Sequence, residues 1–395
     1  MSDSFQYVVI RNCIVLGLAL LAHRGAAQTA FSVTDLGVLG TGPTSDAVAI
    51  NNSGQIAGIS DTSGANTPHA TLYSNGTLTD LGTFPTGATS YAEAINDFGT
   101  IVGIAGTMVS GNLVSQAFST TGGAFTDLGT LGTGVQSDAR AIASNGVIVG
   151  QVTLNGVGEG RAFYYSGGVM TNIGDPSTSG GLTSNANGVS VVGGVTTIVG
   201  YTDHVVGSGG GAYTVIDAFT YTIGGGMVNI GSLGNDVAST ISKANAINSA
   251  GVVVGESSLN SLNYLQHAFR YTLGGTMTDL GTLGGDSSSA AAVNSAGLIV
   301  GDSEIISGNG TIHAFSMMTN GTMLDLNTVI PGNSGWTLIG ATGVNDSGQI
   351  VGVGIIGGVD HAFLLTPIPE PATGAAMFGA CALGAAALRR RRARV

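Results

Sequence analysis

Residues His267–Gly301 read HAFRYTLGGTMTDLGTLGGDSSSAAAVNSAGLIVG, and this stretch decides the fold because its parts recur along the chain. Four short motifs follow one another in it: H-A-F, T-D-L-G, a variant of A-x-A-I-N, and G-x-I-V-G. Each motif is a short run of apolar or β-branched residues bounded by Gly, Asn or Ser. Such a run is typical of a β-strand between two turns.

Three of the motifs occur seven times each, with conservative variation. The G-x-I-V-G copies end at Gly58, Gly103, Gly150, Gly200, Gly255, Gly301 and Gly352. The H-A-F copies have their alanine at Ala70, Ala117, Ala162, Ala218, Ala268, Ala314 and Ala362. The T-D-L-G copies lie at Asp35, Asp80, Asp127, Asn172, Asn229, Asp279 and Asp325, spaced from 45 residues (Asp35 to Asp80) to 57 (Asn172 to Asn229). A period of this length with four strands predicts the blades of a β-propeller.

The two ends of the repeat region predict a closed ring. The region begins with Phe31–Gly37, a lone T-D-L-G strand, and ends with His361–Leu365, an H-A-F strand that no T-D-L-G follows. If the first strand completes the last sheet, neither end leaves an open edge. We therefore predict a seven-bladed all-β propeller over residues 31–366, with the seventh blade composite; an open solenoid is the alternative.

The loops indicate where a ligand would bind. The links between G-x-I-V-G and H-A-F vary in length, and variable loops on a rigid scaffold commonly carry binding sites. We expect long loops at 201–216 and 257–266. The candidate residues on this face are Tyr201, Asp203, His204, Tyr264 and Trp336. The lone Trp336 is a candidate for stacking on a sugar, with core packing as the simpler interpretation.

Composition argues against nucleic-acid binding and cysteine chemistry. Charged residues make up 9% of the 395 residues, and the formal net charge is −12. Four basic residues lie between the terminal segments, so the middle of the chain repels phosphate backbones. The two cysteines, Cys13 and Cys381, both lie in the apolar terminal segments. A disulfide framework is therefore not expected.

The N-terminal segment predicts export. Residues 1–27 combine Arg11, the apolar run Cys13–Ala22 and a small-residue site that suits cleavage after Ala27. These are the parts of a secretory signal peptide. A short membrane anchor is the alternative interpretation.

The C-terminal segment, residues 367–395, has three parts in a fixed order. Pro369-Glu370-Pro371 precedes the uncharged stretch 372–388, for which we predict a transmembrane helix. The basic cluster that follows, a cytoplasmic stop signal, comprises Arg389, Arg390, Arg391, Arg392 and Arg394. This order resembles the PEP-CTERM sorting signal of Gram-negative bacteria, with Ile368 in place of the usual valine. The resemblance implies an exosortase-like sorting enzyme as partner and a transient stay in the inner membrane before the chain reaches the cell surface or medium. A simple membrane anchor is the alternative.

The repeats over 31–366 resemble the HAF family of extracellular repeats. The closest matches are His267-Ala268-Phe269, Thr278–Gly285 and Ala292–Gly301, and the fourth repeat departs most, around Gly188–Gly200. The resemblance implies an exported protein and brings no catalytic residues with it.

Residues with chemical potential are predicted to be structural. His69, His267, His313 and His361 occupy one slot of different repeats, where we expect bonds to neighbouring backbone rather than a shared metal ion. The T-D-L-G aspartates are expected to accept bonds from backbone N–H groups in their turns. We predict no catalytic residue, no metal ligand and no cofactor.

The function predicted from these features is a structural, adhesive or binding role in the surface matrix or exopolysaccharide. The alternatives are a polysaccharide hydrolase or lyase and a metal-dependent binding module. The enzyme alternative needs at least two carboxylates converging on the central channel. The inner A-x-A-I-N strands offer few acids, with Glu93 the exception, which disfavours it.

Overall fold

The computed structural model describes residues 30–369, except 65–66, 86, 110–111, 133, 155–159, 175–182, 207–212, 235–240, 260–264, 309 and 319–320. The predicted signal peptide with Ala27, the motif residues Glu370 and Pro371, the predicted helix 372–388 and the arginine cluster lie outside these ranges. Within them, no helix is long and apolar enough to cross a membrane.

The chain divides into two compact units. One is Ser32–Thr366, which holds the repeats. The other combines Met1–Phe31 with Pro367–Val395, and most of it lies outside the described ranges. In this second unit the backbone N–H of Ile368 donates to the carbonyl of Ala30 at 2.8 Å.

In the described residues the strands form seven four-stranded sheets, each one blade. The first blade is β2 (Ser45–Ile50), β3 (Ile56–Asp61), β4 (Pro68–Ser74) and β5 (Thr77–Asp80). The second is β6 (Ser90–Ile95), β7 (Ile101–Val109), β8 (Asn112–Thr120) and β9 (Thr126–Asp127). The third is β10 (Gly134–Ile142), β11 (Ile148–Leu154), β12 (Gly160–Ser166) and β13 (Val169–Asn172). The fourth is β14 (Ser184–Val192), β15 (Val195–Val206), β16 (Tyr213–Thr222) and β17 (Gly226–Gly231).

The remaining blades complete the ring. The fifth is β18 (Ser242–Ile247), β19 (Val252–Ser258), β20 (Gln266–Thr272) and β21 (Thr278–Asp279). The sixth is β22 (Ser288–Val293), β23 (Leu298–Glu304), β24 (Ile312–Met318) and β25 (Leu324–Asp325). The seventh is β26 (Trp336–Val344), β27 (Ile350–Ile356), β28 (Val359–Pro367) and β1 (Phe31–Asp35), in the order β1-β28-β27-β26. The predicted strand order A-x-A-I-N, G-x-I-V-G, H-A-F, T-D-L-G is confirmed in every blade.

The A-x-A-I-N strands form the inner wall of the ring. Each of them contacts the inner strand of the next blade, and β26 contacts β2, so the ring is closed. The core lies between blades: Ala162 of the third blade packs in one cluster with Ile198 and Phe219 of the fourth. The H-A-F phenylalanines are fully buried at Phe118, Phe163, Phe219, Phe269, Phe315 and Phe363. Burying one such side chain stabilises the fold by about 1.5–3 kcal/mol.

The glycine of G-x-I-V-G is explained by a β-bulge in the inner strand. In the third blade Ala139 pairs with Gly150 and Ala141 pairs with Val149, which leaves Arg140 unpaired between them. A Cβ on Gly150 would overlap the carbonyl oxygen of Asp138. The second strand therefore needs glycine at the position where the bulged inner strand approaches it.

The predicted closure by the N-terminal strand is confirmed. The backbone N–H of Leu36 donates to the carbonyl of Ala362 at 3.0 Å, next to β1. On the inner wall, the amide of Asn345 donates to the carbonyl of Asn51 at 3.2 Å, and Thr342 Oγ1 donates to the carbonyl of Ala47 at 2.7 Å. The residues that these bonds join are 294, 295 and (362 − 36) 326 positions apart, so the two ends of the repeat region hold one another.

The predicted long loop at 201–216 is wrong. β15 continues to Val206 and β16 begins at Tyr213, and the two strands stay in register from Tyr201 opposite Ala218 to Val206 opposite Tyr213. The β-branched residues Val205, Val206, Thr214 and Val215 suit an extended hairpin, since such side chains favour strands. Tyr201, Asp203 and His204 are therefore strand residues.

Candidate functional site

Three positions in each blade face the centre of the ring. We call them the channel positions. The first is the residue before A-x-A, the second is the bulged x of A-x-A, and the third follows the glycine of G-x-I-V-G. The third position pairs with the first across β-strands, as Glu256 pairs with Lys243 and Tyr201 with Asn185. Because the motif residues around them are shared by all blades, these are the positions at which the blades differ.

A cavity of about 470 Å³ lies in the channel, and every residue that lines it occupies a channel position. Its lining residues are Glu93, Asp138, Arg140, Asn187, Tyr201, Lys243, Asn245 and Glu256. They come from the second to fifth blades. The volume is within the range of about 300–1,000 Å³ that small-molecule sites show. We call this cavity the channel pocket.

The other side of the channel has a different character. At the second channel position the first and sixth blades carry Val48 and Ala291, and at the third position the first and seventh carry Ile59 and Val353. The basic groups and most of the polar side chains at the channel positions thus lie on one arc of the ring, the second to fifth blades, while Asp46 and Asp302 place single acids outside it. An asymmetric arc on a repeated scaffold indicates a binding site, since the fold itself does not require it.

One half of the channel pocket is organised around Arg140. Its Nε donates to Asp138 Oδ2 at 2.8 Å, and its Nη1 donates to Asn187 Oδ1 at 3.2 Å. Asn187 in turn donates to the carbonyl of Ala244 at 3.0 Å in the next blade. These bonds fix the guanidinium across the third and fourth blades.

The other half is organised around Lys243. Its Nζ donates to Glu256 Oε1 at 3.1 Å and lies 5.8 Å from the ring centroid of Tyr201, within reach of a cation–π contact. The hydroxyl of Tyr201 accepts from Asn185 Nδ2 at 2.8 Å. Asn185 Oδ1 is buried with no hydrogen-bond partner among the described residues. An unsatisfied buried acceptor beside the pocket is costly in an ordinary core.

Two carboxyl groups at channel positions, Glu93 and Asp302, have raised pKa values. Burial raises the pKa of Glu93 to about 7, with the nearby Asp138 carboxylate raising it further and the Arg140 guanidinium acting the other way. Burial and the charge of Glu256 raise the pKa of Asp302 to about 6. Asp302 occupies the third channel position of the sixth blade, opposite Ser289. Strongly perturbed carboxyls in a cleft are a mark of functional sites.

The acid content of the channel corrects the expectation from sequence. Few carboxylates were expected there, with Glu93 as the exception. Glu93, Asp138 and Glu256 all line the channel pocket, two of them from inner strands. The criterion that was set for the enzyme alternative, two or more converging carboxylates, is therefore met.

The structure places only some of the predicted site residues at the channel pocket. Tyr201 lines the channel pocket. The carboxylate of Asp203 accepts from the backbone N–H of Thr183, which makes it a structural cap. Trp336 lies in β26 and packs edge-to-face on Phe363, with ring centroids 6.2 Å apart. Pro369 is exposed, and Tyr264 lies outside the described residues.

Sequence reasoning missed most of the pocket: Asp138, Arg140, Asn187, Lys243, Asn245 and Glu256. The signal that could have found five of them is the pattern S-x-A-x-A-I-N, in which the two variable positions carry charges and amides in some repeats and apolar residues in others. Glu256 stands instead directly after the glycine of G-x-I-V-G, another position that varies between repeats. Those positions differ because the fold does not constrain them.

The repeated histidines form hydrogen bonds to side-chain carboxylates rather than the expected bonds to backbone. In four blades the Nδ1 atom lies 2.7–3.0 Å from the T-D-L-G aspartate of the neighbouring outer strand, in the pairs His69–Asp80, His267–Asp279, His313–Asp325 and His361–Asp35. The predicted turn role of these aspartates is confirmed: Asp80 accepts from the N–H of Gly82 at 2.7 Å. Among the described residues no three His, Cys, Asp or Glu side chains are grouped so that they could hold a metal ion.

No protein-family model matches the chain, and no curated protein matches its sequence. Among solved structures it is similar to a gluconolactonase from Xanthomonas campestris, at 11% identity over 88% of this chain and 93% of that one, with a TM-score of 0.40. It is also similar to an ulvan lyase, which is a polysaccharide lyase, at 10% identity over 85% of this chain and 94% of that one, with a TM-score of 0.43. A sialidase from Trypanosoma rangeli is similar at 11% identity over 74% of this chain and 55% of the sialidase chain, with a TM-score of 0.38. At these values the likenesses carry no argument about activity.

Proposed function

We propose that this chain is an exported propeller of the HAF repeat type that binds a saccharide of the cell surface or exopolysaccharide in its channel pocket. The terminal segments support export and exosortase-type sorting, since they carry the parts of a signal peptide and of a PEP-CTERM tail. The channel pocket supports binding. Its role is non-catalytic in this proposal, and the surface matrix is the partner.

One observation carries the proposal: non-repeated polar side chains from four blades meet in a cavity of about 470 Å³ on an otherwise uniform scaffold. Amides, carboxylates and basic groups together offer both donors and acceptors, which sugar hydroxyls need. Tyr201 adds an aromatic face beside them. Hydrogen bonds among the lining residues, such as those from Arg140 to Asp138 and Asn187, hold these groups in place.

The proposal is tested with a glycan array and calorimetry on the purified chain. Asn245→Leu places an apolar side chain in the pocket, and we expect it to abolish the binding of any glycan that the wild type retains. Asn145→Leu is the matched control, because Asn145 lies in an exposed turn outside the pocket, where its side chain donates to Thr196 Oγ1 and accepts from the backbone N–H of Val147. Equal binding by both variants and the wild type would remove the pocket from the proposal.

Polysaccharide cleavage is the second candidate, and one observation favours it. Glu93, whose pKa is raised to about 7, lines the same pocket as Asp138. A protonated carboxyl and an ionised one side by side are what acid–base cleavage of a glycosidic bond requires. The two functions are distinguished by incubating the chain with a polysaccharide that it binds on the array and assaying for new reducing ends. Binding alone produces no new reducing ends. Cleavage by the wild type that Glu93→Gln abolishes would establish the enzyme.

A further inference from the structure

The basic residues of the propeller are distributed unevenly. Between residues 30 and 369 the sequence has four basic residues, Arg140, Arg161, Lys243 and Arg270, against 21 acidic ones. Two of the four basic residues line the channel pocket, but only three of the 21 acidic ones do. Basic groups are therefore enriched in the pocket relative to the rest of this anionic molecule, which favours a negatively charged group there.

Both pocket cations keep donors that the described residues do not use. Arg140 donates from Nε to Asp138 and from Nη1 to Asn187. Lys243 uses one of its three N–H groups to donate to Glu256. Their side chains are 33% and 31% exposed, so the remaining donors are accessible from the pocket. Charge-assisted bonds of this kind to a carboxylate are stronger than bonds between neutral groups.

We propose that the channel pocket selects a saccharide that carries a carboxylate, a uronic acid residue, whose carboxylate is bound by Arg140 and Lys243. Asn187 and Asn245 bind the ring hydroxyls in this arrangement. The inference rests on the proposed function, because it names the ligand class of the same pocket.

The charge balance of the pocket explains why Glu93 controls this binding. The two cations are matched by Asp138 and Glu256, so the pocket is neutral when Glu93 is protonated and carries one net negative charge when Glu93 is ionised. Glu93 makes no hydrogen bond to a described residue, and burial raises its pKa to about 7. An anionic ligand binds best to the protonated form, so its affinity falls as the pH rises through about 7.

Charged groups near Glu93 come from several elements. The strands packed against β6 are β2, β3, β4, β7 and β10. Their ionisable side chains are Asp46 and Asp61, His69 and Tyr73, and Asp138 and Arg140. Asp138 and Arg140 are the ones that act on the Glu93 carboxyl. Across the pocket lie Tyr201, Lys243 and Glu256.

The test measures binding of three matched sugars to the full chain by calorimetry and saturation-transfer NMR. The probes are methyl glucuronide, methyl glucoside and methyl glucosaminide. Acetate is added as a competitor, to test whether a carboxylate without a sugar ring binds the pocket. We expect the glucuronide to bind about tenfold or more tightly than the glucoside at pH 6, and acetate not to compete at equal concentration.

Two variants with opposite expected effects keep the test independent of folding. Arg140→Gln should weaken glucuronide binding about tenfold or more. Arg270→Gln is the matched control, because it removes the same charge from β20, outside the pocket, and it should leave binding unchanged. Glu93→Gln should bind the glucuronide at pH 8 as tightly as the wild type does at pH 6, which a misfolded protein cannot do.

The outcomes separate this inference from the proposed function. Equal or tighter binding of the glucoside or glucosaminide, or wild-type affinity in Arg140→Gln, would overturn the selection of a uronate and leave the channel pocket as a saccharide site. Binding of no saccharide at all would remove the proposed function. A pH-independent affinity for the glucuronide would remove the role of Glu93.

Discussion

Two single residues of the channel, Glu93 and Asp302, are held where an ionised carboxyl is disfavoured. Each is largely removed from water and faces another carboxylate, Asp138 for Glu93 and Glu256 for Asp302. Their pKa values rise from the ordinary 4.5 and 3.8 to about 7 and about 6. Ionising either carboxyl in the folded state costs free energy, so each of the two sites destabilises the fold at high pH.

The stability of the ligand-free chain should fall as the pH rises. Between pH 4.5 and about 7 the folded state keeps the Glu93 proton that the unfolded state has lost, so unfolding becomes easier across that window. Glu93→Gln should remove this fall and raise the urea midpoint at pH 8 relative to the wild type.

Asp302→Asn is the companion variant, since it should remove a fall between pH 3.8 and about 6 instead. Urea titrations at half-unit pH steps resolve the two windows. Identical pH profiles of stability for the wild type and both variants would contradict the raised pKa values of Glu93 and Asp302.

At the scale of the element, the bulged inner strand links the scaffold to the site. The bulge turns the second channel position out of the strand pairing, and so presents Arg140 and its counterparts in other blades to the channel. The glycine opposite is the condition for that geometry, because any side chain there would meet the inner-strand carbonyl. The same motif thus repeats in every blade while the residue it presents varies.

Gly150→Ala should therefore damage stability and site together. The added Cβ would overlap the carbonyl of Asp138 and press on Ala139, at a cost of about 1–3 kcal/mol in the free energy of unfolding. The displaced β10 would also carry Arg140 out of position, so ligand affinity should fall.

Gly123→Ala is the matched control, since a Cβ there would meet no heavy atom within 4 Å. It should change the free energy of unfolding by less than about 0.5 kcal/mol. Urea unfolding and calorimetry compare the two variants. A neutral Gly150→Ala would show that the bulge relaxes without strain.

At the scale of the whole molecule, the ring is closed by non-covalent contacts of the seventh blade. His361 Nδ1 lies 3.0 Å from the Asp35 carboxylate, and the hydroxyl of Ser45 accepts from the N–H of Ala362 at 3.1 Å. Ser45 belongs to the first blade, so this contact also ties the composite sheet to its neighbour. Without β1 the strand β28 would become an open edge, which invites self-association.

Deleting residues 31–37 should consequently abolish a single cooperative unfolding transition and produce oligomers, as seen by circular dichroism in urea and by size-exclusion chromatography. The control is a permuted chain in which residues 31–37 follow residue 366 through a two-residue Asn-Gly turn, like Asn75-Gly76 between β4 and β5. Asn75 and Gly76 both have positive φ, 51° and 79°, as hairpin turns of this kind require. We expect the permuted chain to unfold cooperatively. A deletion variant that unfolds like the wild type would show that β1 is dispensable.

The architecture could be predicted from the sequence because its determinants are local and repeated. H-A-F, T-D-L-G, A-x-A-I-N and G-x-I-V-G each encode one strand, their spacing sets the size of a blade, and the lone strands at Phe31–Gly37 and His361–Leu365 predict closure. The turn role of the T-D-L-G aspartates followed from the same local chemistry. The extension of β15 and β16 was missed because the Gly-rich sequence Gly207–Gly211 is typical of a loop and drew attention away from the β-branched residues on either side of it.

The site was decided by the tertiary structure alone. Glu93, Arg140, Asn187 and Asn245 stand about one repeat apart in the chain, each at the variable position of its A-x-A motif (A-x-G in the fourth blade), so along the sequence they look like variation within a repeat. Seven blades in a closed ring bring the same position of each inner strand to one axis, where a charge in one blade acts on its neighbour. Charges from different blades interact through space rather than along the chain, and that is why the pocket became visible only in the folded molecule.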